Sequence, residues 1–225
     1  MNGNSTWLKL YTKMSLILNK NLIFIHFPKT AGIFLREQFK QNKCVKEEII
    51  FLNNNTHIPL IDKLKELKEI KDNNILKTIH CIPSRELYPP TKYKTFFLIR
   101  NPYAWYCSYI NFKSLKNFLK CDDHYYFDKI IKEKKEIPAI LDTLIKIKRS
   151  PMAEMEKKIN NVWKVFKYEN FAETIDELNR ILEIKINISK KNNVTEEKNK
   201  KIKPESKQKI YKIEKDIFKK YSYKE

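Results

Sequence analysis

At 225 residues the chain is long enough to bury a substantial core, and it reads as one domain spanning 1–225. Its hydrophobic content of 42% with 12% aromatics excludes a disordered chain. The formal charge is +19, and lysine supplies 41 of the 46 cations. That balance favours anionic partners such as nucleotides, acidic glycans or nucleic acid, although many lysines alternate with Glu and Asp and read as solvated helix faces.

The four cysteines, Cys44, Cys81, Cys107 and Cys121, form no CxxC pair and have no paired His at zinc spacing. They read as free thiols in a reducing compartment, with no metal site. Residues 1–20 form an N-terminal extension holding a short amphipathic piece, Trp7 to Leu18, packed on a sheet edge or disordered at its start. Lys9, Lys13 and Lys20 interrupt its apolar residues, so it does not read as a signal peptide. No apolar run approaches the ~20 residues a membrane span needs. The expected location is the cytoplasm.

The first predicted strand is Leu22 to Phe27, apolar on both faces apart from His26, as suits a central parallel strand. His26 reads as a packed histidine rather than a catalyst. A tight turn, Pro28-Lys29-Thr30-Ala31-Gly32, leads into a predicted helix from Ile33 to Gln41, with Phe34, Leu35 and Phe39 towards the core. Strand, turn and helix N-terminus together make an anion site, because the first helical N–H groups lack internal partners and the dipole favours negative charge. Lys29 adds a mobile cation and Thr30 a hydroxyl. The chain has only two glycines, Gly3 and Gly32, and one kept at this turn implies a close backbone approach. The stretch reads as a phosphate-binding loop.

Further along, the pattern predicts a short strand at Glu48–Leu52, a turn at Asn53–Asn55, a helix at Ile61–Ile70 and a strand at Ile75–Ile82 that carries His80 near its end. Thr95 to Ile99 is the next buried strand. It delivers Arg100-Asn101-Pro102 at its C-terminal end, and Pro102 suits the first turn of a helix carrying Trp105, Ser108, Tyr109 and Phe112. Trp105 and Tyr109 read as core. Ligands of open α/β sheets bind beyond the carboxyl ends of the strands, where both Lys29 and Arg100 would sit. Helices follow between Cys121 and Asn161, including Ile137–Lys148. His124, beside Asp122 and Asp123, reads as part of an exposed acidic turn. Val162–Tyr168 alternates like a strand, Glu169-Asn170 opens a helix at Phe171–Leu182, and Glu169 reads as a buried carboxylate that orders a loop. A basic loop spans 189–203. A last helix begins at Pro204 with Ile210, Ile213, Ile217 and Phe218 on one face. The predicted fold is a three-layer α/β domain with a mainly parallel sheet of four or five strands and a P-loop-like strand–loop–helix.

FIHFPKTAG after a strand, and FFLIRNPYAWYCSY about seventy residues later, resemble the sulfotransferase superfamily, most closely its carbohydrate-sulfotransferase branch. Tyr168-Glu169-Asn170 is similar to a further element of that family, as is the ending Asp216…Phe218…Tyr221. The resemblance implies 3′-phosphoadenosine 5′-phosphosulfate (PAPS) as sulfuryl donor and 3′-phosphoadenosine 5′-phosphate (PAP) as product. By the same resemblance Lys29 would contact the phosphosulfate and offset charge on the leaving phosphate. Thr30, Ala31, Gly32, Ile33 and Phe34 would supply backbone N–H donors to the 5′-phosphate. Arg100 and Ser108 would hold the 3′-phosphate. Family loops usually carry two hydroxyl residues after the glycine, where this chain has Ile33 and Phe34.

Transfer to a hydroxyl needs a base for the acceptor's proton, and histidine suits that role. His80 is the first choice, by its place before the RNP segment. His57 and a carboxylate are the competitors. Lys198 or Lys200 of the basic loop would assist at the nucleotide. The expected acceptor is hydroxyl-bearing, with an acidic saccharide suggested by the charge, and the chain itself is expected to have no membrane span. Two other readings stand beside this one: a sulfotransferase fold that binds nucleotide with weak or no turnover, and a basic nucleic-acid-binding protein, which no nucleic-acid signature supports. A P-loop NTPase is disfavoured because GxxxxGK[ST] is absent.

Overall fold

The computed structural model describes residues 15–52, 56–59, 92–115, 126–157, 159, 162–188 and 202–224. In chain order its elements are β1 (Ser15–Leu18), β2 (Leu22–Ile25), α1 (Gly32–Gln41), β3 (Val45–Leu52), β4 (Thr56–Pro59), β5 (Lys94–Ile99), α2 (Pro102–Leu115), α3 (Tyr126–Lys134), α4 (Ile137–Lys146), α5 (Pro151–Lys157), β6 (Val162–Lys167), α6 (Phe171–Leu182), α7 (Pro204–Ile213) and α8 (Lys215–Lys220). The chain gathers into two compact units that alternate along the sequence. One takes the described residues among 15–27, 31–99 and 162–188; the other takes those among 28–30, 100–159 and 202–224.

The first unit is a sheet with helices. Its strands run in the order β4-β3-β1-β2-β5-β6. β2, β5 and β6 are parallel neighbours, while β1 pairs antiparallel with both β2 and β3, and β3 with β4. The sheet is therefore mixed around a parallel core, which corrects the expectation of a mainly parallel one. β2 lies in the sheet interior, as its unbroken apolar run requires, with every side chain from Leu22 to Ile25 buried.

One face of the sheet presents Leu16, Leu18, Leu22, Phe24, Phe96, Leu98 and Phe166 to Phe34, Leu35 and Phe39 of α1 and to Ile175, Leu178 and Leu182 of α6. Phe96 meets Phe24 at 5.3 Å and Phe166 at 5.8 Å between ring centroids. Positions 34, 35, 38 and 39 of α1 recur at helical spacing, and all four are buried. Gln38, polar among them, accepts a hydrogen bond from the backbone N–H of Asn187 through Oε1 at 3.1 Å, which ties the strap after α6 to α1.

β1 was not foreseen. Its residues fall at the end of the piece expected to pack on a sheet edge, yet they form an interior strand. Ser15–Leu18 and Leu22–Ile25 make a hairpin across Asn19–Asn21, where Lys20 and Asn21 take positive φ. Leu16–Leu18 and Leu22–Ile25 are apolar on either side of an Asn-Lys-Asn turn, but the first run is too short for its period to tell a strand from the tail of a helix.

The second unit is helical. Trp105, Tyr109 and Phe127 stack in its interior, with centroids 4.8 and 5.3 Å apart along the series. The single C-terminal helix expected from Pro204 onward is instead α7 and α8, broken at Glu214 (φ −107°, ψ 26°). Glu214 turns inward, fully buried, and its carboxylate accepts from Tyr106 Oη at 2.8 Å, from Ser150 Oγ and from the backbone N–H groups of Met152 and Ala153.

The turn Asn53–Asn55, the segments Ile61–Ile70 and Ile75–Ile82, His80, Cys81, Cys121, His124, Lys198, Lys200, most of the 189–203 loop and the start of the Trp7–Leu18 piece lie outside the described residues. Glu169 is exposed in a short 3-10 turn, Tyr168–Asn170, which corrects its reading as a buried carboxylate.

Candidate anion-binding site

β2 and β5 are adjacent and parallel, with Ile25 opposite Phe97. The segments that follow them therefore leave the sheet at one edge, the carboxyl edge. After β2 the backbone N–H of Phe27 closes on Ile25 O at 3.0 Å, and the chain enters Pro28-Lys29-Thr30-Ala31-Gly32. Lys29 (φ 64°) and Ala31 (φ 62°) both take the left-handed conformation. A residue with a Cβ is strained there by on the order of 1 kcal/mol. Alternating hands of backbone aim successive N–H groups to one side, which is how short loops make anion-binding concavities. Ala31 is the N-cap of α1 and has no side-chain cap.

Gly32 itself does not use positive φ. Its requirement is space: an added Cβ would lie 1.7 Å from His26 Cδ2 and 2.3 Å from Nε2. The close approach foreseen at this glycine is to the imidazole of His26, which packs on the first turn of α1. Thr30 is buried and Lys29 half-buried. Of the two residues after Gly32, Phe34 is buried with its ring edge-on to Phe171 at 5.8 Å, while Ile33 is 50% exposed.

Arg100 follows directly on β5 and is only 8% exposed. Asn101 Oδ1 accepts the backbone N–H of Tyr103 at 2.9 Å, and Asn101 O accepts that of Trp105 at 2.9 Å. Asn101 is thus the N-cap of α2 and Pro102 its first helical residue, which gives the RNP triplet a local logic. Ser108 sits half-buried two turns along α2.

Within the second unit these pieces meet. Trp105 Nε1 donates to Pro28 O at 2.9 Å, bridging 77 residues of sequence. The turn bearing Lys29 and the helix that starts after Arg100 and carries Ser108 are therefore joined in one compact unit. Sequence reasoning placed Trp105 in the core, where it is, but missed this bond. The clue is that a buried indole N–H must find an acceptor.

His57 lies on β4, opposite Phe51, three strand spacings from β2. That is a lateral distance of about 14 Å from β2. Among the described residues no three metal-ligating side chains gather at one point, and no helix is long and apolar enough to cross a membrane. No family model, curated protein or solved structure matches the chain.

Proposed function

We propose that this chain is a PAPS-dependent sulfotransferase acting on an acceptor hydroxyl, on a saccharide. The observation that carries the reading is the joining, in one compact unit, of the Lys29 turn with the Arg100–Ser108 segment through the Trp105–Pro28 bond. The two motifs that prompted the resemblance are far apart in sequence, and a chance pair of turns has no reason to be joined.

The residues fit a donor with two phosphate ends. PAPS supplies an activated sulfuryl group whose leaving phosphate takes up negative charge. Lys29 would offset that charge, and fixed positive charge of this kind is the main catalytic resource in such transfers. By the resemblance the N–H groups of Thr30 to Phe34 would serve the 5′-phosphate, and the change to Ile33 and Phe34 alters side chains alone. Arg100, largely withdrawn from water, would offer a planar fork of donors to the 3′-phosphate, and Ser108, two turns along α2, would add a hydroxyl. The acceptor's proton goes to a base, for which His80 remains our assignment.

The test is calorimetric binding of PAP, with ATP as control. Wild type should prefer PAP, and Arg100→Ala should weaken it by about ten- to hundredfold, the worth of a charge-assisted hydrogen bond. A folded protein that ignores PAP would sink the proposal. Binding without sulfuryl transfer to any of a panel of saccharide, phenol and alcohol acceptors would favour the non-catalytic nucleotide-binding reading. That reading draws its support from the loss of both loop hydroxyls.

A further inference from the structure

We infer that Trp105 is a positioning residue for the Lys29 turn: its indole N–H fixes the Pro28 carbonyl and so sets where Lys29 and the Thr30 N–H point. The inference rests on the nucleotide-binding reading above. Trp105 is fully buried. Its ring stacks on Tyr109 at 4.8 Å and lies 6.0 Å from Phe127. Tyr109 is held in turn by Asp128 at 2.9 Å, and the neighbouring Tyr106 by Glu214. The indole is thus fixed on three sides and has a single donor to give. Its acceptor is the carbonyl directly before Lys29, whose backbone is left-handed. The bond grips the turn at the residue where its unusual backbone begins. Because α2 also starts after Arg100 and carries Ser108, one helix sets the position of both phosphate-holding groups in this unit.

The experiment measures three ligands, PAP, adenosine 5′-phosphate and adenosine 3′-phosphate, against wild type and Trp105→Phe. Phenylalanine keeps an aromatic ring in the stack while removing the donor and the second ring of the indole. The expected result is that PAP and adenosine 5′-phosphate weaken by the same factor, about two- to tenfold for one lost hydrogen bond, with adenosine 3′-phosphate unchanged. A purely structural role would move all three together or none, and either outcome overturns the inference while PAP binding to wild type stands. Wild type that binds none of the three overturns the sulfotransferase reading and this inference with it. Should Trp105→Phe fail to fold, the wild-type indole N–H resonance decides, assigned by removing Trp7 and Trp163 in turn. It should shift with adenosine 5′-phosphate and stay put with adenosine 3′-phosphate; no shift with the 5′-nucleotide overturns the proposal.

Discussion

Gly32 and His26 show how a single residue carries more than its conformational reputation. Glycine is often kept for positive φ, but here Lys29 and Ala31 take that burden and Gly32 does not. What Gly32 supplies is the missing Cβ that lets the His26 ring lie against the first turn of α1. Gly32→Ala should therefore cost about 1–3 kcal/mol, the usual penalty for overpacking, measured by chemical denaturation. Adding His26→Ala should recover much of that loss by removing the obstructing ring. An additive double variant, with no recovery, would show that the contact is not what forbids the side chain. The rarity of glycine in the sequence pointed to a close approach at Gly32; which group approaches depends on how β2 turns into α1.

At the scale of elements, α1 separates the two residues that follow Gly32, Ile33 and Phe34. Phe34 belongs to the buried face with Leu35, Gln38 and Phe39, and Ile33 stands one position round the helix, half exposed. Phe34→Thr should destabilise by about 3 kcal/mol, as large-to-small changes in cores do. Ile33→Thr should change stability by no more than about 0.5 kcal/mol. Thermal or urea unfolding of the two variants checks both, and equal effects would refute the assigned facing. Tighter nucleotide binding by Ile33→Thr would mean that a hydroxyl at this exposed position adds a donor. The helical spacing of Phe34, Leu35 and Phe39 made this face legible in the sequence, as Pro102 made the start of α2 legible. β1 was not, because its four residues are too few to separate a strand from the tail of an amphipathic helix by period alone.

Across the whole molecule, the least foreseeable feature is Glu214. It sits in a lysine-rich C-terminal stretch whose pattern suggests one continuous amphipathic helix, yet it interrupts that helix to meet donors from α2, Ser150 and α5. Burial raises its pKa above the usual carboxylate value, and the hydrogen bonds from Ser150, Met152, Tyr106 and Ala153 oppose that rise. The folded state therefore holds the Glu214 proton more tightly than the unfolded chain does. By linkage, this group's contribution to stability is greatest below the unfolded pKa and is lost as pH rises through the folded one. Relative to Glu214→Gln, wild type should lose stability as pH rises above the ordinary carboxylate range, followed by urea denaturation from pH 4 upward. A stability difference independent of pH would mean the carboxylate does not titrate from a buried position.

The sequence by itself determined the local pieces: the apolar β2 and β5, the turn at Pro28 to Gly32, the cap and first residue of α2, and the span of α6. Each is set by interactions within a few residues, through hydrophobic period, capping and turn chemistry. Only the tertiary structure decided that β1 enters the sheet as an antiparallel interior strand, that Trp105 reaches Pro28, that His26 fills the space left by Gly32, and that Glu214 breaks the last helix. The Trp105 and Glu214 contacts join residues 77 and about a hundred positions apart, and pairings at that range are selected by the packing of the folded chain, which no window of sequence contains. Gly32 lies six positions from His26 and β1 pairs with its sequence neighbour β2; there the deciding element was the third dimension rather than distance along the chain.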